Sequence, residues 1–231
     1  MNGRGVSHET VSHYTLPRMI PAHVALERLK QGNSRFAANA HSPSPFISQA
    51  PQEPIAIILG CSDSRVPAEI VFDQGLGGLF VIRVAGNIVA PSQVGSVEFA
   101  ASRFGTRLVV VLGHTGCGAI QATLEELARP AENQSPNIKA IVDRVRPSVE
   151  GLLDTDLRSD LAALAKTAVR VNIRASVDHL RHGSPLLEKL IQDEGLRVVG
   201  AEYCLETGVV EFFEEPQVSP ASRARSASSR P

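Results

Sequence analysis

Two short segments, Cys61-Ser62-Asp63-Ser64-Arg65 and His114-Thr115-Gly116-Cys117-Gly118, hold the residues best equipped for chemistry. Each follows a β-branched apolar run, so each is predicted to sit where a buried strand ends and the chain turns. Together they offer two thiolates, one imidazole, one carboxylate and one guanidinium. Two sulfurs and a ring nitrogen suit Zn²⁺, and a fourth position left to water is the mark of a catalytic zinc site. The same residues also fit two plainer readings. One is a pair of buried apolar cysteines beside a hydrogen-bonded histidine. The other is a closed structural zinc site, which wants four ligands, usually as Cys pairs two to four residues apart. Only one spacing here is that short, and it pairs His114 with Cys117.

Asp63 and Arg65 stand two apart on the first of these loops. A carboxylate beside a zinc centre can fill the fourth coordination position or accept a hydrogen bond from a metal-bound hydroxide. Arg65 would hold it through a charge-assisted, bidentate contact. The alternative is a surface ion pair worth under about 1 kcal/mol.

Strands must bring these loops together. Short continuous apolar runs at 55–59, 79–84 and 108–112 read as strands covered on both faces. Helical segments at 67–73 and 92–104 separate them, each long enough for a crossover. Alternation of this kind reads as an α/β fold with a mostly parallel sheet. Ahead of it, residues 21–40 carry a one-sided apolar stripe (Val24, Ala25, Leu29, Phe36), with Gly32 expected to bend or end a turn. A Ser/Pro-rich linker spans 42–54. A long helical region covers 135–193, with breaks near 147–151 and 183–185, and strands at 196–201 and 209–213 close the domain. Residues 1–20 read as a flexible segment, 21–215 as one domain and 216–231 as a solvated tail. Ligands of open α/β sheets bind beyond the carboxyl ends of the strands. If the strand at 55–59 neighbours the one at 108–112, Cys61 and Asp63 meet His114 and Cys117.

Composition narrows the partners. The 231 residues carry a net charge of −1, 4% aromatics and no Trp, which argues against a nucleic-acid or membrane-surface partner. Apolar runs stay well under the roughly 18 residues a membrane span needs. The first 23 residues lack an apolar stretch, and three cysteines make no disulfide framework, so a reducing cytoplasm is expected. Arg83 ends an apolar strand, where a charge serves a function or is simply solvated. Gln52 reads as a loop residue and Cys204 as a buried thiol in a terminal strand. The remaining histidines read as surface or capping residues.

The chain resembles the β-class carbonic anhydrases. The resemblance rests on Cys61-Ser62-Asp63-Ser64-Arg65-Val66, on His114-x-x-Cys117-Gly118, and on Phe72-Asp73-Gln74-Gly75-Leu76-Gly77 and Val81-Ile82-Arg83-Val84-Ala85-Gly86-Asn87. Gly95-Ser96-Val97-Glu98-Phe99, Gly200-Ala201-x-Tyr203 and Glu206-Thr207-Gly208 extend it, so that it covers roughly residues 21–213. It implies Zn²⁺ held by Cys61, His114 and Cys117, and a strand order 2-1-3-4 with a closing edge strand and an N-terminal helical arm. It further implies reversible hydration of CO₂ to bicarbonate and a proton by zinc-bound hydroxide, oriented by the Asp63–Arg65 dyad. Asp63 would become the fourth ligand in a closed state. Gln52 matches a glutamine that reaches substrate across a dimer interface, and Gly118 matches a backbone N–H donor to bicarbonate. A homodimer or dimer of dimers is implied. Arg83 and Tyr203 match two members of a regulatory bicarbonate site, but Ile58 replaces its tryptophan. Cys204 stands where an aspartate is usual. Two other activities share or mimic the motif: hydrolysis of carbonyl sulfide or carbon disulfide, and a permanently closed zinc protein without activity.

Overall fold

The computed structural model describes residues 20–38, 40, 52–130 and 135–213. The segments 1–19 and 216–231, read above as flexible ends, lie outside the described residues. Five strands form one sheet: β1 (Ala56–Gly60), β2 (Leu79–Arg83), β3 (Leu108–His114), β4 (Arg197–Tyr203) and β5 (Val210–Phe212), in the order β2-β1-β3-β4-β5. The first four are parallel, and β5 runs antiparallel to β4. Every residue of β1 and β3 is buried, which is why those runs show no polar alternation.

Successive side chains along the central strands point to opposite cores. Ile57, Leu59, Val109, Val111 and Val198 face helices α3 (Pro91–Arg103), α4 (Gly118–Ala128), α5 (Pro136–Val149), α6 (Leu161–His182) and α7 (Pro185–Asp193). Ile58, Val110, Leu112, Val199 and Tyr203 face α1 (Ala22–Ala37) and the single turn α2 (Ala68–Val71). The two helix layers follow from burying both sheet faces.

Three expectations change in detail. The break expected at Gly32 is absent, and α1 runs through it. A Cβ on Gly32 would sit 1.8 Å from the Phe72 carbonyl oxygen, so this glycine serves close packing rather than a bend. Helix α4, which follows Cys117 directly, was not anticipated. Cys204 is half-buried in the β4–β5 turn rather than enclosed in a strand.

Asn33 ties α1 to the rest of the molecule. Its amide donates to Val71 O (3.0 Å) and Gly208 O (2.8 Å), and its carbonyl accepts from Val210 N (2.8 Å). Asn33→Ala strands three backbone groups at a buried position, so urea unfolding is expected to show a loss of about 3 kcal/mol. A loss under about 1 kcal/mol would mean that water replaces this clamp.

Candidate metal centre

The winding direction reverses between β1 and β3, and the register pairs Gly60 with Leu112. Cys61 therefore leaves β1 close to the level at which His114 ends β3. Cys117 follows one turn later, as the residue that caps α4, with Gly116 at φ +65° making the turn. All three ligand residues are buried, His114 completely. Their ligand atoms lie within 4.8 Å of one another, and the two sulfurs are 3.9 Å apart. A tetrahedral zinc with sulfurs at about 2.3 Å separates them by roughly 3.8 Å. The donor set fits the ion.

Polar partners orient each ligand. His114 Nδ1 lies 3.0 Å from the Thr115 carbonyl, which can only accept, so Nδ1 carries the proton. Nε2 is left buried without a hydrogen-bond partner, free to face a metal. Gly86 N donates to Cys61 Sγ at 3.4 Å. Gly86 has φ +70°, and a Cβ there would meet Ala119 at 3.2 Å. Helix α6 fixes this turn: Asn172 donates to Gly86 O and Ser176 to Asn87 O. Thr115 is held from β4, since its N–H donates to Tyr203 O and its hydroxyl accepts from Leu205 N.

The sulfurs share a proton when no ion is bound. Cys117 donates to Cys61, and this contact, helped by His114 and by the N–H groups of Gly86 and Asp63, brings Cys61 down to about 4 against the effect of burial. Cys117 is pushed up by that same donation and by burial. Burial disfavours a charged His114, but the neighbouring Cys61 and Thr115 outweigh it and its pKa rises. A divalent cation satisfies the same negative charge by displacing protons.

Asp63 sits at the rim of this cluster. Its Oδ1 accepts from Arg65 Nε (2.9 Å) and N (3.0 Å), and its Oδ2 accepts from Arg65 Nη2 (2.7 Å). The Arg65 guanidinium holds the Asp63 carboxyl far below the usual carboxylate range. Oδ2 is also 3.8 Å from His114 Nε2, so the carboxylate faces the place an ion would occupy. Arg65 is 60% exposed and Asp63 16%, which puts the dyad on the solvent side.

The other candidates fall in different places. Arg83 lies beside the metal loop, donating to Cys61 O (3.1 Å) and Asp63 O (2.5 Å). Tyr203 is buried on the α1 face, with its ring 6.4 Å from Phe36. Arg83 and Tyr203 end β2 and β4, three strand spacings or about 14 Å apart at the backbone. Ile58 is fully buried on β1. Gln52 is exposed ahead of β1, whereas Cys61 follows that strand, so five residues or about 17 Å of strand lie between them. A chain's own Gln52 stands at the amino end of β1, away from the centre at the carboxyl end. Gly118 opens α4 with nothing within 4 Å of where a Cβ would be. Gly86 and Thr115 were not singled out as site residues, although the Gly-Asn pair after an apolar strand hinted at a special turn. A cleft of about 840 Å³ between α3, α5 and α6 holds none of these residues, so size alone does not mark the site.

A doubly wound sheet thus gathers a Cys-His-Cys cluster able to hold a metal at its switch point, with the Asp63–Arg65 pair on its solvent side. Residues 56–210 match the family model for carbonic anhydrase. The chain is 37% identical over 190 residues to carbonic anhydrase 2 of Mycobacterium tuberculosis, covering 80% of this chain and 89% of that protein. It is 37% identical over 194 residues to a carbonic anhydrase of Mycolicibacterium smegmatis, covering 81% and 91% respectively. The crystal structure of the β-carbonic anhydrase CafA of Aspergillus fumigatus superposes with a TM-score of 0.64 at 25% identity, covering 76% of this chain and 83% of that one. This chain belongs to the β-carbonic anhydrase family.

Proton release gives a test of the site that does not depend on activity. With Cys117 protonated and Cys61 held toward its thiolate, zinc binding at pH 7 should release at least one proton per ion, and more at a pH where His114 is also charged. The number should fall toward one as pH rises through the His114 titration. Calorimetry in buffers of different ionisation enthalpy measures it. Release of no protons at pH 7 would contradict this assignment of charges.

Proposed function

We propose that this chain catalyses the reversible hydration of CO₂ to bicarbonate and a proton, with Zn²⁺ held by Cys61, His114 and Cys117. When bound, zinc supplies the Lewis acidity that makes water available as a nucleophile near neutral pH. The observation that carries the reading is the Asp63 carboxylate, gripped at both oxygens by Arg65 and facing the ion position from the solvent side. A closed structural site has no use for such a group.

The roles of the residues follow from their chemistry. Asp63 is ionised across the neutral range and can only accept. It takes the hydrogen bond of the attacking oxygen's proton, which leaves a lone pair pointed at the carbon of CO₂. Arg65 prevents the carboxylate from rotating away and is itself too exposed to act as the primary substrate anchor. On this reading the Gly118 N–H, at the start of α4, donates to a product oxygen, with the helix N-terminus favouring its negative charge. Gln52 acts, on this reading, on the centre of a second copy, which makes a homodimer or a dimer of dimers the working unit. The proton that hydration releases passes to buffer.

Other properties fit. No helix among the described residues is long and apolar enough to cross a membrane. All three cysteines are free, which suits a reducing cytoplasm.

Zinc analysis beside stopped-flow CO₂ hydration tests the proposal. Cys61→Ser and His114→Ala are expected to lose zinc and turnover together. Asp63→Ala should keep its zinc and lose turnover at least about 100-fold. An active, zinc-free Cys61→Ser protein would refute the ligand assignment, and full turnover in Asp63→Ala would remove the dyad from the mechanism.

A further inference from the structure

We infer that Arg83 is a positioning residue, whose guanidinium fixes the backbone from Cys61 to Asp63 and so aims the Asp63 carboxylate. The ladder between β1 and β2 ends where Val84 N donates to Gly60 O at 3.0 Å. Beyond that point the β2 chain turns away through Ala85–Asn87, and its Gly86 N–H goes to Cys61 Sγ rather than to a backbone carbonyl of the loop. Arg83 pairs with Gly60 in the register, and its side chain takes over where the backbone stops. Nε donates to Cys61 O at 3.1 Å and Nη2 to Asp63 O at 2.5 Å. These two carbonyls flank Ser62. The fork therefore holds both ends of the peptide segment that joins a metal ligand to the catalytic carboxylate.

The geometry assigns Arg83 a task different from the regulatory site suggested by the resemblance. Two of its donors are committed to the protein's own carbonyls. The tryptophan of that regulatory arrangement is replaced here by Ile58, which is fully buried. Arg83 touches neither the ion position nor a reacting atom, and its effect runs through Asp63. Asp63 O also accepts from Val66 N, so the loop does not collapse without Arg83. It loses the two carbonyl contacts of the Arg83 fork, at Cys61 O and Asp63 O. A planar fork can span two carbonyls, whereas a lysine reaches one.

The catalytic consequence rests on the CO₂-hydrating function proposed above, while the positional claim does not. The experiment compares zinc-loaded wild-type protein with Arg83→Met and Arg83→Lys by metal content and by steady-state hydration. Cobalt-substituted samples of all three add a visible spectrum, which reports the groups around the ion. Arg83→Met is expected to keep its zinc and its KM within about twofold, to lose about 10- to 100-fold in kcat, and to shift the cobalt bands. Arg83→Lys should recover part of both. Unchanged kcat and cobalt bands in Arg83→Met overturn the inference. A raised KM at constant kcat overturns it too, because Arg83 would then be holding substrate. Loss of zinc in proportion to activity would make it a structural support for Cys61 alone and likewise overturn it. If wild-type protein hydrates no CO₂, the proposed function fails, and the cobalt spectra still decide whether Arg83 positions the loop.

Discussion

The parallel pairing of β1 with β3 is the contact on which the site depends. It sets Gly60 beside Leu112, so the chain leaves β1 as Cys61 next to the point where β3 ends in His114. Because the connections wind in opposite directions from these two strands, their carboxyl ends are left open rather than covered by a crossover. Shifting β1 by one residue would turn Cys61 away from His114 and move Ile57 and Leu59 to the opposite core. Hydrophobic burial on both faces of the sheet thus fixes how Cys61, His114 and Cys117 meet.

Around that meeting point, nearly every polar group of the loops is occupied by another part of the protein. Thr115 is held from β4 at two atoms, the Gly86 turn from α6, and the first loop from Arg83. His114 Nε2 is an exception, left buried without a partner. Burying an unsatisfied nitrogen costs about 1–3 kcal/mol, a cost that a bound cation removes. Asn87 adds strain of its own, with φ +44° at a residue that has a Cβ. The surrounding helices hold it there, and the result is a Gly86 N–H aimed at Cys61. Stability is given up locally to keep three ligand atoms in register.

Much of this architecture was legible before any coordinates. All five strands fall within two residues of their expected ends, because runs such as Ile-Ile-Leu and Val-Val-Val are what burial on two faces requires. Helix α4 was missed because its first residues, Gly118 and Ala119, look like the end of a loop rather than a helix start. Its cap is Cys117, which makes no side-chain capping hydrogen bond, so the usual Ser or Asp signal is missing. Gly32 was misread because a helical glycine signals a break only when nothing packs against it, and Phe72 O does.

The residue types and their spacing were enough to single out Cys61, His114 and Cys117, which the fold brings together, and the paired Asp63 and Arg65, since each sits at a strand end. Tertiary structure alone decided that the two strands are neighbours, which His114 nitrogen faces the sulfurs, and that Arg83 grips the loop after β1. Most of these depend on pairings between residues 20 to 90 positions apart, such as Arg83 with Cys61 or Leu205 with Thr115. Periodicity reports the burial of a segment against its immediate surroundings. It carries no information about which distant carbonyl will accept a given N–H.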